Sequence, residues 1–317
     1  MDNEWLRGLQ RGPCSGSLSS GVQLRIILAF AATWLIWGST YLAAAFAVQD
    51  MPPLMVAGTR NLLAGLVLYG VTRGMGGPRP TRRQWLEAAV VGVLLLGVGN
   101  GAVTWATGRE PSGVVALVVS LVPLWLMVFG WIGRRGVRPS AIEVGGIALG
   151  LVGISLLVST NPETVGSVSV LGLAVLVLST IAWAVGSLYS RQLTPPAVPL
   201  MATGMEMLLG GVALFVASGA QGDFGSFSMS DMTTRGWLSL AYLVVFGSII
   251  GFSAYKWLLG RVRPALVGTY AFVNPVVAVL LGWAFAGEAI TPRLAAAVLL
   301  IVGAVAMISL RPYFSRR

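Results

Sequence analysis

Ten apolar runs follow one another along the chain, and each is long enough to cross a lipid bilayer. A helix rises about 1.5 Å per residue, so about 20 apolar residues cross the roughly 30 Å of hydrocarbon. Prolines, glycines and charged residues separate the runs, as is typical of helix ends and loops. The pattern predicts membrane-spanning helices at 24–48, 54–72, 85–106, 112–132, 140–159, 169–189, 198–219, 236–258, 264–286 and 292–310. A membrane β-barrel would instead show alternating segments of about ten residues, so we predict an all-α polytopic membrane protein.

The composition favours the same class. Of the 317 residues, 56% are hydrophobic and only 10% are charged, whereas a soluble domain has about 25% charged residues. A net charge of +10 would suggest nucleic-acid binding in a soluble protein, but here most of the positive residues lie between the apolar runs. We therefore predict contact with membrane lipid and no nucleic-acid partner.

Basic residues are distributed unequally between alternate segments, which indicates the orientation of the chain. Sixteen lie on one side, and only Arg109, Arg235 and Arg293 lie on the other. Because Lys and Arg concentrate in cytoplasmic loops, we predict that both termini are cytoplasmic, with a disordered tail at 1–22 and a basic tail at 311–317. The basic start also imitates a cleaved signal peptide, but the first run contains a motif that recurs later, so we interpret it as a retained span.

The chain repeats itself at an offset of 146–152 residues. The matching motifs are Gly38-Ser39-Thr40-Tyr41 with Gly186-Ser187-Leu188-Tyr189, Met55-x-x-Gly58-x-Arg60 with Met201-x-x-Gly204-x-Glu206, and Trp105-x-x-Gly108-Arg109 with Trp257-x-x-Gly260-Arg261. We predict two repeats, 23–159 and 169–310, each with five spans. An odd number of spans makes the second repeat enter the membrane from the opposite side, which is the inverted-topology architecture of secondary transporters.

Several motifs resemble those of a known transporter family. They are Trp37-Gly38-Ser39-Thr40-Tyr41, Pro52-Pro53 followed by Arg60, Gly99-Asn100-Gly101, the run from Tyr270 to Gly282, and Gly287-Glu288-x-x-Thr291. Over residues 26–310 the chain resembles the EamA-type family of the drug/metabolite transporter superfamily, and within it the YedA-like permeases. The resemblance implies a ten-helix inner-membrane carrier, commonly an exporter of amino acids, other metabolites or drugs, with proton coupling as an option. The first repeat has Gly133-Arg134-Arg135 where the second has Gly287-Glu288, so the resemblance implies no symmetric pair of coupling carboxylates.

Arg60 and Glu206 occupy equivalent positions of the two repeats and carry opposite charges within apolar spans. An ionisable side chain in a membrane is costly and is a functional candidate by default. Counting along the helices predicts an axial gap between them of under about 10 Å. Three interpretations stay open: a static pair that joins the second and seventh spans, binding of a solute carboxylate by Arg60, and proton exchange at Glu206. Lys256, near the cytoplasmic end of its span, is predicted to extend its amine to the membrane interface.

Two predicted spans contain prolines at matching positions, in Ser120-x-x-Pro123 and Asn274-Pro275. Proline removes a backbone donor and frees a carbonyl one turn earlier. Such freed groups bind solutes in transporters, and a simple packing kink is the alternative interpretation.

Polar and aromatic side chains inside the apolar runs complete the candidate set. Asn100, Thr104 and Tyr270 need a partner in a neighbouring helix, water or solute. Most tryptophans lie near span ends, where they form interfacial belts, but several aromatics lie in the spans that open each repeat or near Asn100. Together the predicted substrate-cavity residues are Trp34, Trp37, Tyr41, Arg60, Asn100, Thr104, Trp105, Ser120, Pro123, Trp183, Tyr189, Glu206, Tyr270, Asn274 and Pro275, with Arg60 and Glu206 as the coupling candidates.

The sequence lacks residue types and motifs that several classes of function require. The chain has no histidine, which rules out a Ser-His-Asp triad and removes the commonest metal ligand. Cys14 is the only cysteine, so no internal disulfide forms, and no phosphate-binding loop for ATP is present. We predict no catalytic residues, no metal site and no cofactor.

These observations predict a secondary-active transporter of the plasma (inner) membrane. We expect export of a small metabolite, such as an amino acid or a drug-like compound, by alternating access around a central cavity between the repeats. The predicted partners are lipid, a small-molecule solute and, as an option, protons, and the oligomeric state stays open. The alternatives are an uptake or facilitative carrier, a passive channel, and a membrane-embedded enzyme that modifies a lipid.

Overall fold

The structure is a computed structural model that describes residues 20–106, 109–110, 112–132, 136, 138–158, 169–193, 196, 198–286 and 292–310. These residues form helices and no strand. The main helices are α1 at 20–50, α2 at Pro53–Gly74, α3 at Arg82–Ala106, α4 at Ser112–Val119 and Val122–Ile132, α5 at Ala141–Val158, α6 at Val170–Ser190, α7 at Pro199–Ala220, α8 at Thr234–Leu259, α9 at Pro264–Val267 and Tyr270–Ala286, and α10 at Pro292–Leu310. A short helix at Asp223–Ser226 and a 3₁₀ turn at Met229–Asp231 connect α7 to α8. Four predicted features lie outside the described residues: the N-terminal tail up to residue 19 with Cys14, the basic tail from residue 311, and the motifs at 133–135 and 287–291.

The all-α prediction is confirmed for the described part of the chain. Helices α1 to α8 are the eight that are long and apolar enough to cross a membrane. Helices α9 and α10 contain shorter apolar stretches, Pro264–Val277 and Ala295–Ser309. Helix α1 begins at Ser20, inside the predicted tail, because no proline separates Ser20 from the apolar run.

Helices α4 and α9 are both interrupted, and in each helix the interruption lies before the proline. Helix α4 is interrupted at residues 120–121, and Pro123 lies in the first turn of the next segment, where its missing N–H is not needed. Helix α9 is interrupted at residues 268–269, and Pro275 lies inside the segment Tyr270–Ala286. The predicted broken spans are therefore present, with the breaks a few residues earlier in the chain.

Three helices contain π-helical segments, which the sequence pattern did not predict. They lie at Ala32–Ile36 in α1, Val93–Asn100 in α3 and Leu243–Phe252 in α8. A π segment inserts an extra residue into the helical turn and frequently lies at a functional site. The segments of α3 and α8 line the cavity described below, and the segment of α1 ends directly before Trp37, which lines it.

Helices α2 and α7 pack against each other in opposite directions through glycines. A Cβ at Gly65 would collide with the backbone at Leu208, and a Cβ at Gly204 would collide with the backbone at Tyr69. Small residues that let helix backbones approach closely are typical of membrane helix pairs. Higher residue numbers in α2 meet lower numbers in α7, so the two helices are antiparallel.

Two further contacts give the directions of neighbouring helices. Helices α5 and α10 are antiparallel, with Gly146 beside Ile308 and Gly153 beside Ile301. Helices α3 and α7 are parallel, because Gly92 lies beside Gly210 and the later Gly101 lies beside Leu214. These directions are those expected when successive helices cross a membrane alternately.

Candidate functional site

A central cavity of about 200 Å³ lies between α1, α2, α3, α4, α6, α8 and α9. Its walls therefore come from both halves of the sequence. Eight of the predicted cavity residues line it: Trp37, Tyr41, Arg60, Asn100, Thr104, Trp183, Tyr270 and Asn274. The cavity brings a cation, three amides and a set of aromatic rings to one place.

Arg60 is the charged residue in the wall of this cavity. It lies about two turns into α2, which begins at Pro53, and its Nη2 donates to Asn100 Oδ1 at 3.1 Å. Its Nε is buried without a hydrogen-bond partner. No carboxylate of the described residues forms an ion pair with Arg60. The guanidinium thus has one neutral partner and donors to spare.

Asn100 is positioned for this contact by the π segment of α3. It is the last residue of Val93–Asn100, and Thr104 Oγ1 donates to its backbone carbonyl at 2.8 Å. A regular helix would place the residues after the insertion at a different angle around the axis. The amide oxygen of Asn100 faces Arg60 of α2 from the end of this π segment.

Aromatic rings form an apolar part of the cavity wall. Trp37 packs edge-on against Tyr270 with ring centroids 4.8 Å apart, and its Nε1 donates to the carbonyl of Gly247 at 3.0 Å. Trp183 packs edge-on against Trp37 at 5.9 Å. Such edge-to-face pairs are favourable, and here they fix the shape of the wall.

Tyr255 of α8 supports this wall from behind and was not predicted from the sequence. It is fully buried, and its hydroxyl accepts a hydrogen bond from Trp183 Nε1 at 2.9 Å. The same hydroxyl lies 2.6 Å from Ser187 Oγ. Tyr255 precedes Lys256 and Trp257, and Trp257 matches Trp105 of the first repeat. This match was the sequence signal that could have indicated Tyr255.

Other polar residues of the cavity were also missed. Ser248 Oγ donates to Asn61 Oδ1 at 3.3 Å, and Asn61 Nδ2 donates to the carbonyl of Ala57 at 2.9 Å. Asn61 directly follows Arg60 within an apolar run, which was a usable signal. Further lining residues are Thr40, Ser179, Thr180 and Phe252.

Asn274 is a cavity residue whose amide satisfies backbone groups. With its nitrogen facing the two carbonyls, it donates to Trp34 at 3.2 Å and to Tyr270 at 3.0 Å. It thereby joins α9 to the π segment of α1. Its neighbour Pro275 does not line the cavity.

Glu206 lies in a different cavity and pairs with Lys256, so the structure does not contain the direct pair with Arg60, which was one of the three open interpretations. The distance from Lys256 Nζ to Glu206 Oε1 is 2.9 Å, and the two side chains are 14% and 5% exposed. In the antiparallel contact of α2 and α7, the level of Arg60 is about seven residues from that of Glu206, or about 10 Å at 1.5 Å per residue. Lys256 reaches Glu206 from the neighbouring α8, so its predicted extension to the interface is wrong.

The remaining predicted residues lie outside the central cavity. Trp34 packs on Phe30, with ring centroids 5.4 Å apart, and Trp105 lies under the guanidinium of Arg109 at 4.7 Å. Ser120 is buried and donates to the carbonyl of Leu117 at 2.6 Å. Pro123 is buried beneath Gly268, and Tyr189 packs against the main hydrophobic core. Their role in transport stays a prediction.

The apolar helices define a polytopic membrane protein with a central cavity, and comparison with known proteins supplies the family. Residues 24–159 and 170–310 each match the EamA-like transporter family. The chain belongs to this family, within the drug/metabolite transporter superfamily.

Individual proteins that match the chain agree with this assignment. The chain is 41% identical over 289 residues to the uncharacterized inner membrane transporter YedA of Escherichia coli strain K12, a match that covers 89% of this chain and 90% of YedA. It is 27% identical to the protein PecM of Dickeya dadantii over 287 residues, covering 89% and 91% of the two chains. It is 26% identical to the uncharacterized transporter YvbV of Bacillus subtilis over 284 residues, covering 90% of each chain.

A solved crystal structure has the same fold. It superposes with a TM-score of 0.72 at 23% identity and covers 92% of this chain and 99% of the other chain. Together with the apolar helices, these relatives identify a YedA-like, multi-pass protein of the inner membrane.

Proposed function

We propose that this protein is a secondary-active transporter that exports small organic solutes carrying a carboxylate, with amino acids as the first candidates. The observation that supports this proposal is Arg60, a cation in the wall of a membrane cavity with no carboxylate partner among the described residues. An ionisable group held inside a membrane at this cost is expected to serve a solute or ion. A guanidinium matches a carboxylate through two parallel hydrogen bonds.

The rest of the cavity favours a metabolite over a larger drug-like compound. Its volume of about 200 Å³ lies below the range of about 300–1,000 Å³ typical of sites for drug-sized ligands. The carboxylate would lie at Arg60 and Asn100, and the apolar part of the solute would pack on Trp37, Trp183 and Tyr270. Amino acids combine these two features in a small molecule.

The proposed architecture is ten spans arranged as two inverted five-helix repeats, 23–159 and 169–310. The antiparallel contacts of α2 with α7 and of α5 with α10 support it, since each contact joins helices at equivalent positions of the two repeats. The separate family matches to the two halves also support it. The excess of basic residues on one side favours cytoplasmic termini, and rocking of one repeat against the other would give alternating access.

Direction and coupling are proposed as export driven by an ion gradient, with protons as the first candidate. Export follows from the family resemblance, and uptake or facilitated exchange is the alternative. Proton coupling would involve a membrane carboxylate, and Glu206 is such a group. Transport in vesicles with and without a pH gradient tests coupling, and comparison of right-side-out with inside-out vesicles tests direction.

Counterflow in proteoliposomes tests the proposed function. Proteoliposomes that contain unlabelled L-leucine or L-phenylalanine should take up the same labelled amino acid faster than liposomes without the protein. The corresponding carboxamides should not compete with this uptake. Arg60→Gln should raise the half-saturation concentration about ten- to hundredfold, since a charge-assisted hydrogen bond contributes about 1.5–3 kcal/mol and 1.4 kcal/mol is tenfold. Arg60→Lys should retain part of the activity because it retains the charge.

The matched control is Arg83→Gln. Arg83 is 87% exposed and pairs with Glu87 one turn away at 2.8 Å, so its loss should leave counterflow unchanged. Arg60→Gln with wild-type half-saturation, or equal transport of acids and carboxamides, would contradict a carboxylate site at Arg60. No counterflow with any member of a broad amino-acid panel would contradict the proposed solute class.

A further inference from the structure

A second cavity, of about 810 Å³, lies at the end of the bundle that the proposed topology places in the cytoplasm. It lies between the start of α3, the end of α6, the start of α7 and the end of α8. The buried pair of Lys256 and Glu206 lies in its wall, and Arg191, Arg261 and Glu87 also line it. The lining thus has three cations and two carboxylates, and this net positive charge favours the approach of an anion such as a carboxylate.

The linings of the two cavities meet on α8. On α8, Phe252 lines the central cavity and the next residue, Ser253, lines the second cavity. Phe252 is the last residue of the π segment of α8, and it packs against Trp183 with ring centroids 6.3 Å apart. A solute that moves between the cavities along α8 therefore passes Phe252.

The charged residues of the two cavities occupy equivalent places in the duplication. Arg60 of α2 corresponds to Glu206 of α7, and each bonds a residue of the helix that follows it in its own repeat. For Arg60 that residue is Asn100 of α3, and for Glu206 it is Lys256 of α8. Each cavity thus has a cation at one of these contacts, Arg60 in the first and Lys256 in the second. Along the α2 and α7 contact, the levels of Arg60 and Glu206 differ by about 10 Å.

We infer that Lys256 and Glu206 form the cytoplasmic binding site for a zwitterionic amino acid, in which Lys256 binds the carboxylate and Glu206 binds the ammonium group. This inference rests on the proposed function. In the absence of solute, the carboxylate of Glu206 occupies the place that the solute carboxylate takes. Export then passes the carboxylate from Lys256 to Arg60.

The chemistry of the pair favours a zwitterion. The Glu206 Oε2 atom is buried without a hydrogen-bond partner, so the pair does not satisfy this carboxylate. Lysine offers three donors and no acceptor, and an ionised carboxylate accepts only. An amino acid replaces one ion pair by two, whereas a simple carboxylic acid that displaces Glu206 leaves that carboxylate buried and unpaired, which is unfavourable.

Sided transport measurements test the inference. The probes are labelled L-phenylalanine, which carries both charges, and 3-phenylpropionate, which carries the carboxylate alone, in inside-out and right-side-out membrane vesicles. Lys256→Gln should raise the half-saturation concentration for phenylalanine at the cytoplasmic face about tenfold or more. The half-saturation concentration at the outer face should stay within about twofold, because solute from that side binds Arg60 in this proposal. Lys256→Arg should restore most of the affinity at the cytoplasmic face.

Glu206→Gln gives a readout that a purely structural ion pair would not change. It removes the partner of the ammonium group and frees Lys256, so the preference for phenylalanine over 3-phenylpropionate at the cytoplasmic face should fall about tenfold. This ratio is measured within one variant, so it holds even if Lys256→Gln fails to reach the membrane.

Two outcomes would overturn the inference. One is a Glu206→Gln protein with the wild-type preference ratio. The other is a Lys256→Gln protein whose affinity changes equally at both faces or at neither. If the wild-type protein exchanges no amino acid, the proposed function itself fails. If the wild type exchanges phenylalanine but either of these outcomes is found, only the role of the second cavity fails.

Discussion

The contact between α2 and α7 should respond to a single added methyl group at Gly65. Gly65 is buried, and a Cβ there would meet the backbone nitrogen of Leu208 and the carbonyl oxygen of Gly204. Backbone atoms cannot rotate aside as the end of a side chain can, so Gly65→Ala has to push the helices apart. Gly70 on the same helix is exposed, with nothing near the position of its Cβ, and Gly70→Ala is the matched control.

The expected magnitude follows from two opposing effects. Overpacking of a close contact costs about 1–3 kcal/mol. Alanine is favoured over glycine in a helix by about 1 kcal/mol, but both variants gain this amount, so it cancels in the comparison. Gly65→Ala should therefore be about 1–3 kcal/mol less stable than Gly70→Ala, which is a change of about five- to 150-fold in the ratio of folded to unfolded protein.

Unfolding of the purified variants in one detergent measures this difference, with tryptophan fluorescence as the signal. Gly204→Ala offers a second test, because a Cβ there meets the backbone nitrogen of Tyr69 across the same contact. Once one methyl group has separated the helices, the second finds more room, so the double variant should cost less than the sum of the single variants by about 0.5 kcal/mol or more. Equal stabilities of Gly65→Ala and Gly70→Ala, or strictly additive single variants, would refute the close-packed contact.

Two further substitutions test the wall of the central cavity and the end of the bundle that the proposed topology places outside the cell. Tyr255→Phe leaves Trp183 Nε1 without its acceptor and should lower the free energy of unfolding by about 1–3 kcal/mol, whereas an unchanged value would show that Trp183 finds another partner. Asp50→Ala removes the acceptor for Thr233, whose Oγ1 lies 2.6 Å away, and should speed hydrogen exchange in the first turns of α8. The control is Asp231→Ala, an exposed residue of the preceding 3₁₀ turn, and equal exchange in both variants would argue against a tie between α1 and α8.

Much of the fold follows from local properties of the chain. The length of an apolar run decides whether it crosses a membrane as a helix, and backbone groups inside the bilayer must be satisfied within that helix. For the same reason, polar side chains in apolar runs indicated Arg60, Asn100, Thr104 and Asn274 as cavity residues before any contact was known. A charge or an amide in such a run has few alternatives to a partner or a cavity.

The partner of each charge depends on the tertiary structure. Equivalent positions in a duplication suggested that Arg60 and Glu206 meet, but the close α2 and α7 contact fixes their levels and leaves Glu206 nearer to Lys256, 50 residues away in the chain. The π segments of α3 and α8 were equally hidden, because the apolar pattern does not distinguish one helical hydrogen-bonding pattern from the other. A hydrophobic pattern specifies where helices lie in the chain, whereas the angle and depth at which they pack decide which side chains share a cavity.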